Sequence, residues 1–296
     1  MYRYTNLTNA LKDRDSPLRS YLGTRFPNTR PLLTQFRDAC GELLVDAAVS
    51  ASGTVGSAFD FQTRFTLDPG YDPGVAKQAF ANYPQLVAAI DGVRNYARDS
   101  VSRVEADSES LARACWALAL TTEVYRMGVI RPGTAIHQLL DRDTFTTDSL
   151  MSVCPPAAVG ELAAFKTVAD ERFVAALKPQ PQLALGPTFD GSELCAADAD
   201  IIADGVLIDL KSSLGSKDKA GKRHGSLSTN ELYQLMLYLL FDHSDRYKIT
   251  SIGIYAARYG CLLAWPVTEA MDVMSAGQAV DLSRERTEVW RLLGGS

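Results

Sequence analysis

Asp198-Ala199-Asp200-Ile201-Ile202-Ala203-Asp204-Gly205-Val206-Leu207-Ile208-Asp209-Leu210-Lys211 reads as a β-hairpin. Asp-Gly favours a two-residue turn, because both turn positions need positive φ, and the runs on either side are short and β-rich. With that turn, Ala203 pairs with Val206 and Asp200 falls opposite Asp209. Side chains alternate across a strand, so Asp198, Asp200, Asp209 and Lys211 leave one face, while Ile201, Ile208 and Leu210 enter an apolar layer on the other.

Two carboxylates directly opposed on a hairpin repel each other. A hard divalent cation between them would compensate, since Mg²⁺ is commonly held by one or two carboxylates together with waters and phosphates. Such an ion acidifies a bound water and neutralises charge on a phosphate. Lys211, on the same face, is placed to orient that water or to meet the phosphate. The plainer reading is an amphipathic hairpin whose acidic face is solvated and balanced by one lysine.

Further along, Ser228 and Glu231 form a capping box for a helix. Within it, Glu231-Leu232-Tyr233-Gln234-Leu235-Met236-Leu237-Tyr238 puts Gln234 and Tyr238 four apart, on one helix face. The order Asp, then Asp-x-Lys, then Gln-x-x-x-Tyr resembles the RecB and λ-exonuclease branch of the PD-(D/E)xK nuclease superfamily.

That resemblance implies an α/β fold, with a restriction-endonuclease-like mixed β-sheet flanked by helices. It implies Mg²⁺ or Mn²⁺ held by Asp200, Asp209 and the backbone carbonyl of Leu210, with Lys211 catalytic and Gln234 and Tyr238 lining the site. Asp198 rivals Asp200 for the first ligand, and the Asp200-to-Asp209 spacing is short for the family. Gly56-Ser57-Ala58-Phe59-Asp60 is similar to the family's Gly-x-x-x-His-like element, with Asp60 standing where a metal-binding His would be. The alternative for Asp60 is an i,i+4 ion pair with Arg64 on an exposed helix face. Glu161 and Glu171 are other upstream acids. The resemblance covers about 190–265, and 50–65 loosely. The expected activity is hydrolysis of DNA, with RNA open, in defence against foreign DNA or in DNA repair. The competing reading is a catalytically inactive nuclease-fold module that binds nucleic acid or a partner protein.

Between the Asp-x-Lys strand and the helix, the Gly-, Lys- and Ser-rich run Ser212 to Gly225 carries Lys217, Lys219, Lys222, Arg223 and His224, opposed only by Asp218. Either this is a phosphate-gripping lid or a solvated flexible loop. Arg258-Tyr259 offers a further phosphate contact and a stacking ring, or simply a loop between strands.

The rest of the chain sets the frame. It has 296 residues, 46% hydrophobic, enough for a sizeable core. A net charge of −5 is not the footprint of a protein that coats nucleic acid. The five cysteines show no CxxC pair, which argues against a disulfide framework or a zinc or iron–sulfur site. The N-terminus lacks a signal-peptide core and no apolar run reaches membrane-span length, so a soluble, cytoplasmic protein without a membrane is expected, with a protein partner or self-association open.

Helical spacing covers Thr34–Ala48, Ala76–Tyr83, Pro84–Ser100, Leu111–Met127 and Val159–Leu177. Ser16-Pro17 opens a helix, Ser50–Ser57 reads as a loop, and Lys178–Gly186 as a connector. Leu194–Ala203, Val206–Leu210, Lys248–Ala256 and Gly260–Val267 read as strands, and Ser283 caps a last helix. The expected division is a mainly helical region 1–185, contributing Gly56–Phe65 to the site, and a nuclease core 186–296.

Overall fold

The computed structural model describes residues 3–102, 107–178 and 180–295. The chain forms two compact units: Met1–Leu43 with Pro179–Ser296, and Leu44–Lys178. The first 43 residues therefore belong with the sheet and not with the helical region, which moves the expected boundary at 185.

The discontinuous unit holds a five-stranded mixed sheet in the order β1 (Leu183–Leu185), β2 (Ile201–Ala203), β3 (Val206–Lys211), β6 (Ser251–Ala256), β7 (Cys261–Pro266). Its β3–β6 pair is parallel and the other pairs are antiparallel. The parallel pair needs a crossover, supplied by the Thr229–Phe241 helix, which packs on β3 and β6. Both central strands are covered on both faces: Leu207, Ile208, Ile252, Ile254 and Tyr255 are all fully buried. That explains their near-continuous apolar sequence.

The turn forms as expected. Asp204 and Gly205 both have positive φ, 46° and 76°, and Ala203 pairs with Val206. A Cβ at Gly205 would meet the Lys248 carbonyl at 2.9 Å, so the position suits glycine on two counts. The expected capping box is present: Ser228 Oγ accepts from Glu231 N–H, and the Glu231 carboxylate accepts from Ser228 N–H at 2.7 Å.

Several sequence readings need correction. The strand expected at Leu194–Ala203 shrinks to β2, because the chain before it turns through a 3-10 segment (Asp190–Glu193) and makes only single bridges at Ala196 and Asp198. The connector contains β1, a three-residue strand formed only by pairing with β2. The loop Ser212–Gly225 contains a small antiparallel hairpin, β4 (Ser216–Lys217) and β5 (Arg223–His224). The helix expected at Thr34–Ala48 is Arg30–Ala39, closed by Cys40 in extended conformation. The last helix, Leu282–Leu292, is capped by Asp281, whose Oδ1 accepts from Arg284 N–H at 2.8 Å, and not by Ser283.

The Leu44–Lys178 unit is helical. Its longest helices are Ser52–Leu67, Pro84–Ser102, Ser108–Met127 and Pro156–Ala169. The first begins inside the expected Ser50–Ser57 loop, since Thr54, Val55 and Ala58 are buried and packing overrides a weakly helical run. Among the described residues no helix is long and apolar enough to cross a membrane.

Candidate functional site

β3 presents Leu207, Asp209 and Lys211 on the face that the Thr229–Phe241 helix covers, beside Ile252, Ile254 and Ala256 of β6. Asp209 is only 3% exposed. The carboxylate thus continues the apolar core, against the plainer reading of a solvated acidic face, although Asp198 on the same side is exposed. Leu207 buries the start of that face; the polar residues occupy its carboxyl end.

Lys211 Nζ lies 2.6 Å from Asp209 Oδ2 and donates to Gln234 Oε1 at 3.4 Å. Gln234 Nε2 donates to the Tyr238 hydroxyl at 2.6 Å. The Asp-x-Lys strand and the Gln-x-x-x-Tyr helix are therefore in direct contact. Phe189 stacks on Tyr238, with ring centroids 5.8 Å apart.

Asp200 is fixed from the neighbouring strand. β2 begins at Ile201, and before it the Ala199 N–H donates to the Pro187 carbonyl. The Leu210 N–H donates to Asp200 Oδ2 at 2.6 Å. Strand geometry sends the Leu210 carbonyl to the same side as its N–H. Asp198 is exposed, two residues before Asp200.

The electrostatics are those of a crowded acidic site. Burial holds Asp209 above the usual carboxylate range; Lys211 pulls it down, while Glu231 and Asp198 add to the rise. Burial lowers Lys211, but Asp209, Asp200 and Glu231 outweigh that and hold it above its ordinary value. Tyr238 is pushed well above its usual range by burial, then by Asp209, Asp200 and Asp198, so its hydroxyl keeps its proton. Glu231 belongs to this group, a role that its place in the capping box does not reveal. Its signal was available: it lies three residues before Gln234 and seven before Tyr238, on the same helix face.

Among the described residues no group of three His, Cys, Asp or Glu side chains is gathered as a metal-holding set. Asp200 and Asp209 are the two carboxylates here that could hold a hard ion. Asp209 Oδ2 is buried, and the Lys211 ammonium beside it is its counter-charge.

Asp60 lies in the helical unit and pairs with Arg64, Nε to Oδ1 2.7 Å, with the arginine side chain 6% exposed. The i,i+4 pair forms, buried where an exposed one was expected. Glu161 accepts the Ala48 and Val49 N–H groups and holds local backbone. Lys217, Lys219 and Lys222 are exposed on the β4–β5 hairpin, and Arg223 is half-buried with Nη1 on the Gly215 carbonyl. Asp218 is that hairpin's organiser: Oδ1 accepts from Ala220 and Lys222 N–H, and Oδ2 faces His224 Nε2 at 3.0 Å. Arg258 corrects an expectation. It is 2% exposed, with Nε donating to the Ser212 carbonyl at 2.6 Å, so it braces backbone instead of meeting a phosphate. Tyr259, also buried, donates its hydroxyl to the Leu214 carbonyl at 2.8 Å and offers no stacking face.

No protein-family model matches this chain, and neither a curated protein nor a solved structure matches it.

Proposed function

We propose that the sheet-bearing unit is a divalent-metal-dependent nuclease with a restriction-endonuclease-like core, hydrolysing phosphodiester bonds of DNA. The observation that carries this reading is Lys211, which touches Asp209 on its own strand and Gln234 on the crossover helix. Two separate stretches of sequence thereby meet at one buried polar point.

Asp209, Asp200 (or Asp198 beside it) and the Leu210 carbonyl would hold the ion. When bound, Mg²⁺ or Mn²⁺ supplies an acidified water and neutralises phosphate charge. Lys211, kept protonated by its carboxylates, meets a non-bridging phosphate oxygen as an ammonium donor. Gln234 orients Lys211 and is itself oriented by Tyr238. Phe189 and the helix exclude water from the buried side. The exposed lysines of the β4–β5 hairpin follow the catalytic strand directly and would grip the backbone of the substrate.

Cleavage assays on linear, circular and single-stranded DNA and on RNA, with Mg²⁺, Mn²⁺ or EDTA, test this. Cleavage needs metal and falls at least about a hundredfold in Lys211→Ala; metal-independent cleavage or an undiminished variant overturns the mechanism.

One observation favours a second reading, a nuclease-fold module that binds without cutting. Lys211 already neutralises Asp209 at 2.6 Å without any ion. Calorimetry separates the two: no heat with Mg²⁺, together with no cleavage, selects the binding module.

A further inference from the structure

Cys40 closes the Arg30–Ala39 helix, and Cys261 opens β7. Helix and strand pack together, tied by the Trp265 indole N–H donating to Gln35 Oε1 at 2.7 Å. That tie carries the two cysteines to one place. Cys261 Sγ donates to the Ala39 carbonyl at 3.5 Å, one peptide away from Cys40, so the two cysteines are neighbours.

The other cysteines are differently placed. Cys115, Cys154 and Cys195 are buried, and burial is the first cause raising each thiol above its ordinary value. Cys40 is buried as well, whereas Cys261 is partly exposed. Its hydrogen bond from Cys40 pulls the Cys261 thiol down to about 7, against the opposing effect of burial. A partly exposed thiol beside a second thiol is an arrangement that reacts with oxidants and can close on its neighbour.

We propose that Cys40 and Cys261 form a peroxide-reactive pair that closes to a reversible disulfide. The Cys261 thiolate attacks one oxygen of hydrogen peroxide. The O–O bond breaks, leaving a sulfenic acid on Cys261 and hydroxide that takes up a proton as water. The Cys40 sulfur then attacks the Cys261 sulfur, the S–O bond breaks, and the hydroxyl leaves as a second water with the Cys40 proton. One peroxide is reduced to two waters while two thiols are oxidised to one disulfide; a dithiol reductant reverses the change.

The pair also abuts the basic hairpin. A Cβ at Gly225, the residue after β5, would meet Cys40 Sγ at 2.5 Å, so this sulfur packs directly on the hairpin's exit. Arg258 and Tyr259, just before Cys261, hold the backbone of its entry at Ser212 and Leu214. Moving the sulfurs into bonding distance draws on packing at both feet of that hairpin.

The full chain is treated with hydrogen peroxide, denatured, alkylated and weighed. The alkyl adducts fall from five to three, peptide mapping finds Cys40 joined to Cys261, and dithiothreitol restores five. Cys261→Ser keeps its remaining thiols reduced under the same treatment. In Cys40→Ser a dimedone adduct appears on Cys261 with no intramolecular disulfide. Cys115→Ser, at a buried position outside the pair, still closes the bond and controls for folding. Five adducts retained by the wild type, or a map joining any other pair, overturns the proposal, and neither result bears on nuclease activity.

Discussion

Asp200 Oδ2 accepts the Leu210 N–H at 2.6 Å, standing in for the Ala199 carbonyl that a continued β2–β3 ladder would provide. One side chain thus ends the ladder and brings a carboxylate next to Asp209. Asp198 lies before β2, exposed, on a single backbone bridge to Thr188. Removing the Asp200 carboxylate leaves a backbone N–H without its charged acceptor, a loss of about 2 kcal/mol. Asp200→Ala is expected to lower stability by about that amount, Asp200→Asn by less because its amide oxygen still accepts, and Asp198→Ala by less than about 0.5 kcal/mol. Urea denaturation measures all three; equal losses from Asp198→Ala and Asp200→Ala would show that the hydrogen bond contributes nothing. Cleavage by the folded Asp200→Asn and Asp198→Asn variants then shows which acid the chemistry needs.

Asp209 gives a pH signature. Its folded-state pKa lies above the unfolded value, chiefly through burial. A group shifted in that direction contributes stability below its unfolded pKa and loses it as pH rises through the folded pKa. At neutral pH without metal, ionised Asp209 therefore weakens the fold. Asp209→Asn is expected to melt higher than wild type at neutral pH in EDTA. The difference should shrink to nothing as pH falls below the unfolded carboxylate range. Mg²⁺ should narrow the gap from the other side by stabilising only the wild type. A variant that melts lower at neutral pH in EDTA contradicts the assignment.

Lys217, Lys219 and Lys222 are exposed, and the approach of Lys222 to Glu42 is 3.7 Å between side chains 59% and 84% exposed, too weak to hold structure. Replacing all three by alanine should change stability by less than about 0.5 kcal/mol. The dependence of DNA affinity on salt should fall by up to about three in log–log slope, close to one for each lysine that no longer meets a phosphate. Fluorescence anisotropy over a salt series reads this directly, and an unchanged slope would remove the hairpin from the interface.

Arg258 makes the opposite prediction. Its guanidinium is buried and holds the Ser212 carbonyl. Arg258→Ala should lower stability by about 2–3 kcal/mol and speed amide exchange through 212–225. Were it a phosphate ligand instead, binding would weaken while stability and exchange stayed at wild-type values.

The parts of the site that were legible in the sequence rest on local geometry. Asp204-Gly205 fixes its own turn, the turn fixes the register of Asp200 against Asp209, and Ser228 with Glu231 marks the start of the helix that carries Gln234. Features set by distant packing left no local trace. β1 is Leu-Ala-Leu in a proline-rich run and is a strand only because β2 pairs with it. Strand alternation told which side chains share a face with Asp209, yet not that a helix covers that face. Arg258 followed a strand, as an exposed loop residue would; its burial depends on Ser212, far back in the sequence. Glu231 was hidden by doing two things at once, since the cap accounted for it fully.

The discontinuity of the sheet-bearing unit has a consequence for how the chain is made. Its first 43 residues leave the ribosome before all of the helical unit, and before every strand they share a core with. From Leu43 to the end of β7 the ribosome adds roughly 220 residues, about 10–45 s at ordinary synthesis rates. For that interval the apolar faces built around Leu18, Leu22, Phe26, Leu32 and Phe36 have no sheet to cover them. The helical unit can fold as it emerges, while the opening helices wait for the strands that complete their core.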